Sequence, residues 1–176
     1  MVVAFSGGVD STFLLKAAKD VLRDKVIAVT VTSALQPRHE LTDAVRIARR
    51  IKVKHVRLAV DILGEAKIVS NPPDRCYHCK STLLRPVKNL ANEHGYTAIE
   101  GTNYSDLDSH RPGLKAVKRL GIRSPLVTAR FTKKEIRAAA RRLGLTNWNA
   151  PATACLATRI PYGNKLDRER LHRIER

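Results

Sequence analysis

Val-Val-Ala-Phe-Ser-Gly-Gly-Val-Asp-Ser, residues 2–11, is the stretch that decides the fold. The apolar run at 2–5 is typical of a short buried strand, and apolar residues then recur at helical spacing over 10–22. Two glycines between strand and helix allow a tight turn whose N–H groups point at an anion. Ser6 and Ser11 add hydroxyl donors. No Gly-Lys-Ser/Thr follows, so the stretch predicts a phosphate-binding loop that is not a Walker A motif.

Asp10 lies inside this loop, where a carboxylate facing phosphate directly would repel it. Two roles stay open for Asp10 from the sequence. It holds the N–H groups of the loop itself, or it helps to bind Mg²⁺.

Working outward from this loop, strands and helices are expected to alternate. Such alternation favours an α/β fold, an open and mainly parallel sheet with helices on both faces. Residues 148–163 are expected to form an irregular loop, and a last helix begins at 167. The other strands are expected at 26–31, 53–60 and 97–100, and the other helices at 39–51, 62–69, 74–94, 111–120 and 132–143, the last with a capping box from Thr132 and Glu135.

The composition indicates a globular protein that does not span a membrane. The chain has 176 residues, of which 43% are hydrophobic and 28% charged, as in a single globular domain. Its longest apolar runs fall far short of the roughly 20 residues that span a bilayer. There is no secretory signal pattern, and three cysteines are an odd number, so we expect a cytoplasmic protein without a disulfide framework or a membrane partner.

The charge is strongly positive and unevenly placed. The formal net charge is +17. Residues 1–110 carry 16 basic and 12 acidic side chains, whereas residues 111–176 carry 17 and 4. Such a field attracts polyanions, namely nucleotides, pyrophosphate or RNA. A solvated basic surface, or one that meets an acidic partner domain, explains the same numbers.

The three cysteines form the second candidate site. Cys76 and Cys79 are spaced as C-x-x-C at a predicted helix start, where the helix dipole and the neighbouring Arg75 and Lys80 favour thiolate. Cys155 lies in the predicted irregular loop. Three thiolates can hold a [4Fe–4S] cluster and leave one iron open.

Other interpretations of the cysteines remain open. Zinc bound by the three cysteines plus His78 or His110 is one, and a thioredoxin-like redox pair is another. Cys155 as a sacrificial sulfur donor, which would become dehydroalanine, is a third. Three unrelated buried cysteines complete the set.

Residues 101–113 follow the fourth predicted strand, and in parallel sheets ligands bind outside the carboxyl ends of the strands. Gly101 opens this loop, which should therefore face the phosphate loop. Asn103 is placed to contact a nucleotide, and Asp106 and Asp108 are candidates for Mg²⁺ on ATP phosphates. Alternatively, these side chains cap the next helix.

Three further features of the sequence are weaker indications of function. Arg159 is a candidate to stabilise charge on a transferred adenylyl group or to hold a substrate phosphate, unless it is an ordinary surface arginine. Trp148 is more readily explained by packing. A solvated helix face, or less readily an RNA contact, accounts for the basic residues Lys133, Lys134, Arg137, Arg141 and Arg142.

The hexapeptide at 6–11 resembles the pyrophosphate loop of the N-type ATP pyrophosphatases, the PP-loop superfamily. The resemblance implies an adenine nucleotide α-hydrolase-like fold. It also implies that ATP is cleaved between its α- and β-phosphates, so that the substrate is adenylated and pyrophosphate leaves. The implied ATP- and pyrophosphate-binding residues are Ser6, Gly7, Gly8, Asp10, Ser11, Gly101, Asn103 and Asp106.

Within that superfamily the chain is similar to the LarE family, the sulfur transferases that build the nickel-pincer cofactor of lactate racemase. The similarity implies that a carboxylate of a pyridinium dicarboxylate mononucleotide is adenylated and then converted to a thiocarboxylate. Implied cofactors are ATP, Mg²⁺ and a [4Fe–4S] cluster on Cys76, Cys79 and Cys155. The matching segments are 6–11, 73–80, 101–108, 111–116 and 151–159.

The similarity carries further expectations about roles and organisation. Cys155, Arg159 and Asp10 are the implied catalytic residues, and some members use the cysteine that matches Cys155 as a sacrificial donor. Residues 1–176 are expected to form the PP-loop domain of a longer chain, since the family normally carries a further C-terminal domain that helps to assemble a homo-oligomer. Sulfide or another sulfur donor is an implied partner.

Three rival functions remain open at this point. A tRNA thiolation enzyme of the same superfamily would suit the positive charge. An amide-forming synthetase, like those that make NAD or GMP, would give the cysteines no role. A nucleotide-binding module without catalysis would not release pyrophosphate.

Overall fold

The computed structural model describes residues 1–108 and 111–176. These residues form a four-stranded sheet in which every neighbouring pair is parallel, in the order β3-β2-β1-β4. This confirms the expected parallel α/β fold. The strands are β1 (Val2–Ala4), β2 (Ile27–Thr32), β3 (Lys54–Ala59) and β4 (Ala98–Ile99).

The helices lie close to their predicted positions, and the capping box of Thr132 with Glu135 is present. The helix expected over 62–69 is instead a 3₁₀ turn, Ile62–Gly64, followed by a short α-helix. The α-helices are α1 (Val9–Leu22), α2 (Arg38–Ile51), α3 (Ala66–Val69), α4 (Arg75–Glu93), α5 (Gly113–Arg119), α6 (Pro125–Thr128), α7 (Lys133–Arg142) and α8 (Arg168–Glu175), with further 3₁₀ turns at Tyr104–Asp108 and Leu156–Arg159.

Apolar cores cover both faces of the sheet. Val2 and Val3 are neighbours on β1 and point to opposite faces, yet each is fully buried. Val3 packs into a core with α1, α2 and α7. Val2 packs into a core with α4 and α5. Burial on both faces explains why β1 is a continuous apolar run.

A third apolar cluster lies beyond the carboxyl ends of β2 and β3. Leu35 and Ile62, which follow these two strands, pack there with Leu156 and Leu171 from the last part of the chain. The N–H of Leu156 donates to the Leu35 carbonyl at 2.9 Å. This cluster holds the Cys155 segment against the carboxyl edge of the sheet.

The strand order places a topological switch point beside β1. The chain runs outward from β1 through β2 to β3 and then adds β4 on the other side of β1. The loops that follow β1 and β4 therefore leave neighbouring strands at the same edge. In open parallel sheets this crevice is where ligands bind.

Candidate functional site

Two serines shape the loop that follows β1. The Ser6 N–H donates to the Ser11 hydroxyl at 3.3 Å, and the Gly8 N–H donates to the Ser6 hydroxyl at 3.3 Å. Gly7 has a φ of +84°, and a Cβ there would meet the Ala44 backbone at 3.2 Å, so the position demands glycine. Gly8 caps α1 without a side-chain hydrogen bond, which leaves the helix N-terminus open to an anion.

Asp10 pairs with a lysine from a distant helix. Its Oδ2 accepts a hydrogen bond from Lys133 Nζ at 2.5 Å. Its Oδ1 is buried and has no hydrogen-bond partner among the described residues. The Ser6 and Gly8 N–H groups are bonded to serine hydroxyls rather than to Asp10. The expectation that Lys133 belongs to a purely solvated face is wrong, because it reaches back to the phosphate loop.

Gly101 brings the loop after β4 against the start of α1. A Cβ at Gly101 would lie 2.9 Å from the Ser11 nitrogen and 3.2 Å from the Asp10 carbonyl carbon. Both are backbone atoms of the first turn of α1. A glycine is therefore what allows the two loops to touch.

Glu100, the residue before Gly101, is 5% exposed and anchors a hydrogen-bond network. It accepts from Lys80 Nζ at 3.0 Å, from the Thr102 hydroxyl at 2.7 Å and from the Ser124 hydroxyl at 2.5 Å. Burial alone would raise the pKa of Glu100, but Lys80 and the hydroxyl donors outweigh it and hold the pKa below its usual range. The carboxylate thus ties β4 to α4, the helix that carries two cysteines.

The polar residues of the next turn stabilise their own loop. Asp106 accepts the Asn103 N–H at 3.1 Å and pairs with Arg111 Nη2 at 2.8 Å. Asn103 is 1% exposed, and its Oδ1 has no partner among the described residues. Asp108 is exposed. Asp106 and Arg111 reach the cavities described next, and Asp108 is not among the residues that line them.

Two cavities open on either side of the phosphate loop. The first encloses 300 Å³. Ser6, Gly8 and Asp10 line one end of it, and Gly101, Lys80 and Asp106 contribute further polar surface. Its opposite wall is apolar, which suits a nucleoside whose phosphates reach the loop. That wall consists of Val29, Val31, Leu83, Leu84 and Val87.

The second cavity is larger and more polar. It encloses 500 Å³ and shares Ser6, Gly8, Asp10 and Arg111 with the first. A phosphate chain lying across the loop would therefore reach both spaces. The other charged or titratable residues that line it are His39, Glu40, Asp43, Arg46 and Lys133.

The cysteines lie next to this pair of cavities. Cys79 and Cys155 pack against the same apolar cluster, and so does Leu83, which also lines the first cavity. Cys155 interacts electrostatically with Cys76 and with Glu40, which lines the second cavity. The cysteines are not among the residues that line the two cavities, but they neighbour lining residues of each, Leu83 for the first and Glu40 for the second.

The protonation of the thiols differs from the sequence expectation. Burial, and then the neighbouring Cys155 and Cys76, raise the pKa of Cys79 to about 12. Burial also raises the pKa of Cys155, although Arg75 opposes the shift. The expectation that the helix dipole and nearby cations favour thiolate is wrong for Cys79, because loss of hydration outweighs both effects.

Arg75 fixes the Cys155 segment to the start of α4. It is 2% exposed, its guanidinium donates to Asn71 Oδ1 and to the Ala157 carbonyl, and it lies 5.6 Å from the centre of the Tyr162 ring. Asn71 in turn donates to the Pro161 carbonyl at 2.8 Å. The two side chains bind the turn that follows Cys155, at Ala157, and the chain just after it, at Pro161.

The remaining candidates lie elsewhere. Arg159 is exposed and lines a separate groove with Arg170 and Arg173, so it does not reach the phosphate loop. His78 lies 3.3 Å from Asp74. Trp148 packs partly buried against the core under Arg141. His110 lies outside the described residues.

Sequence reasoning missed two residues that support the site. Asn147 donates to the Gly7 carbonyl at 2.7 Å, and nothing in its polar surroundings in the sequence distinguishes it. From the sequence, Glu100 is predicted only to be the last residue of the strand at 97–100. Its position directly before Gly101 was the available signal, because a buried acid at the carboxyl end of a parallel strand calls for partners.

The chain matches a family model and several curated proteins by sequence. The family model of QueC, a queuosine biosynthesis protein, matches residues 1–71. The chain is 40% identical over 176 residues to an uncharacterized protein of Synechocystis. The aligned region covers 99% of this chain and 66% of that protein. It is 38% identical over 176 residues to the pyridinium-3,5-bisthiocarboxylic acid mononucleotide synthase of Lactiplantibacillus plantarum, with 99% of this chain and 64% of that protein covered.

The fold has a solved counterpart. The NMN synthetase of Francisella tularensis superposes with a TM-score of 0.69 at 13% identity, covering 99% of this chain and 82% of that one. These matches support the resemblance to the LarE family of the PP-loop ATP pyrophosphatases that the sequence predicts. The chain spans 64 to 66% of the length of the two curated relatives.

The residues can be tested against the metals that the family implies. Buried oxygens without partners, Asp10 Oδ1 and Asn103 Oδ1, fit the hard-ligand preference of Mg²⁺. Cysteine thiols are the donor type that an iron–sulfur cluster prefers. However, within 1–108 and 111–176 no three His, Cys, Asp or Glu side chains lie close enough together to hold a metal ion. A cluster on Cys76, Cys79 and Cys155 would therefore require the thiols to approach one another.

In the described part of the chain, every helix is too short or too polar to cross a bilayer.

Proposed function

We propose that this protein is an ATP-dependent sulfur transferase that forms AMP and pyrophosphate. It adenylates a carboxylate of a pyridinium dicarboxylate mononucleotide and converts that carboxylate to a thiocarboxylate. The observation that supports the proposal is that lining residues of both cavities also neighbour the thiols. Leu83 lines the first cavity, and it packs on the third apolar cluster, as Cys79 and Cys155 do. Glu40 lines the second cavity, here called the polar cavity, and interacts electrostatically with Cys155.

The adenylation half of the reaction depends on the phosphate loop. A carboxylate oxygen attacks the α-phosphorus of ATP, the bond between the α-phosphorus and the bridging oxygen breaks, and pyrophosphate leaves with the bonding electrons. In this proposal the open N-terminus of α1 and Lys133, which lines the second cavity with the loop, neutralise the departing pyrophosphate. Asp10 Oδ1 offers a ligand to the Mg²⁺ that accompanies ATP.

The sulfur half depends on the cysteines. A sulfur nucleophile attacks the activated acyl carbon and displaces AMP, a better leaving group than an oxide. We propose that Cys76, Cys79 and Cys155 hold a [4Fe–4S] cluster, which when bound supplies transferable sulfide. Arg75 supports this half by holding the Ala157 carbonyl at 3.1 Å, which keeps the Cys155 segment against α4.

Pyrophosphate release tests the first half. The full-length protein is incubated with ATP, Mg²⁺ and the pyridinium dicarboxylate mononucleotide, and pyrophosphate and AMP are quantified. We expect both products in equal amounts, and loss of both in Asp10→Asn and Ser11→Ala. Asp20→Asn, on the exposed side of α1 where it pairs with Lys16, is the matched control and should retain activity. Undiminished release from Asp10→Asn would refute the assignment.

Anaerobic purification tests the second half. We expect about four irons per chain, as in a [4Fe–4S] cluster, and their loss in Cys79→Ala. If the protein is iron-free and Cys155 loses the mass of H₂S during turnover, the cluster is refuted and Cys155 is a sacrificial sulfur donor. One zinc per chain would refute both. Adding tRNA to the same assay tests the RNA alternative, since we expect the mononucleotide and not tRNA to be thiolated.

A further inference from the structure

Asn147 reaches the phosphate loop from the opposite end of the chain. It follows α7, and its Nδ2 donates to the Gly7 carbonyl at 2.7 Å and to the Thr12 hydroxyl at 2.9 Å. Thr12 is fully buried, and its hydroxyl lies 3.4 Å from the Gly7 carbonyl. One side chain thus ties the loop to the first turn of α1.

The peptide between Gly7 and Gly8 is rigid, so fixing its carbonyl also fixes its N–H. Asn147 holds the Gly7 carbonyl on one side of the loop. The Gly8 N–H is thereby turned to the other side, where Ser6 lies. Gly7 has a φ of +84° and abuts the Ala44 backbone, so this peptide is held from two directions.

Asn147 also belongs to the segment that leads to Cys155. Residues 150–153 of that segment line the polar cavity together with Asn147 and Gly7. Further along, the N–H of Leu156 is bound by the Leu35 carbonyl. The segment is therefore attached to the phosphate loop at one end and to the third apolar cluster at the other.

We propose that Asn147 is a positioning residue for pyrophosphate binding, which orients the phosphate loop by holding the Gly7 carbonyl and joins that loop to the sulfur-bearing segment. The inference rests on the proposed function, because it presumes that the loop binds pyrophosphate. The contact with the Gly7 carbonyl is made by Asn147 Nδ2. Asn147 Oδ1 is buried and has no partner among the described residues.

Binding of inorganic pyrophosphate, measured by titration calorimetry on the full-length protein with Mg²⁺, tests this inference. In Asn147→Ala the dissociation constant should rise about tenfold, as expected when one buried donor is lost. The KM for ATP should rise with it. Asn149→Ala is the matched control, because Asn149 is two residues away, is exposed, and accepts a hydrogen bond from Arg137 rather than contacting the phosphate loop in the described structure. Its affinity should stay within about twofold of wild type.

Thermal unfolding separates positioning from a merely structural role. A variant Asn147→Ala that unfolds at a lower temperature but binds pyrophosphate as wild type does would overturn the inference. If the alanine variant does not fold, Asn147→Leu preserves the volume without the donor, and unchanged affinity there would be equally decisive. Wild-type protein that binds no pyrophosphate would instead contradict the proposed function.

Discussion

Replacing Glu100 with glutamine should destabilise the protein through its contact with Lys80. Glutamine retains one carbonyl oxygen for the Thr102 N–H and the Ser124 hydroxyl. At the Oε2 position, however, it places an amide N–H₂ where Lys80 Nζ donates at 3.0 Å. A hydrogen bond to a charged group contributes about 1.5–3 kcal/mol, and a donor facing a donor adds to the loss. We expect a cost of about 3 kcal/mol.

That cost lowers the melting temperature by about 6–12 °C for a domain of this size. Circular dichroism on Glu100→Gln measures it, with Glu93→Gln, an exposed glutamate of the same helix as Lys80, as the control. Because the pKa of Glu100 is lowered, its contribution is full above the ordinary glutamate pKa of about 4.3 and is lost as pH falls through the folded-state value. A melting temperature within about 2 °C of wild type at pH 7 would refute the reasoning.

Three further predictions follow from individual contacts. Gly101→Ala forces a Cβ to 2.9 Å from the Ser11 nitrogen, so we expect a loss of about 1–3 kcal/mol in unfolding free energy and weaker pyrophosphate binding, and wild-type values for both would contradict the close approach. Thr132→Ala removes the capping box of α7 and should cost about 1 kcal/mol in denaturant unfolding, whereas Thr158→Ala, an exposed threonine, should cost less. In metal-free protein at pH 8, iodoacetamide should modify the exposed Cys76 but spare Cys79, whose pKa is raised to about 12, and peptide mass spectrometry showing equal modification would contradict this.

The fold was predictable because its signals are local. The apolar run before Ser6 and the helical spacing after Asp10 define one strand–loop–helix unit, and β2 repeats the apolar character of a doubly covered strand. The short helix α6, four residues from Pro125 to Thr128, was not predicted, because four residues are too few to show a helical period.

The site was only partly predictable because its decisive contacts join distant parts of the sequence. Motif reasoning identified the phosphate loop and the three cysteines, which carry their chemistry in the residue type. It did not find the contact of Lys133 with Asp10, 123 positions apart, or that of Asn147 with Gly7, 140 apart. It also overestimated thiolate formation at Cys79, since the sequence shows charges nearby but not the burial that opposes them.

The central claim is that adenylation and sulfur transfer share one cleft and use separate residues. Mass spectrometry of the mononucleotide after turnover with ATP and sulfide tests it most directly, with wild type compared with Cys155→Ala. We expect thiocarboxylate from wild type, and from Cys155→Ala continued AMP formation without sulfur in the product. Full thiocarboxylate formation by Cys155→Ala would contradict the account.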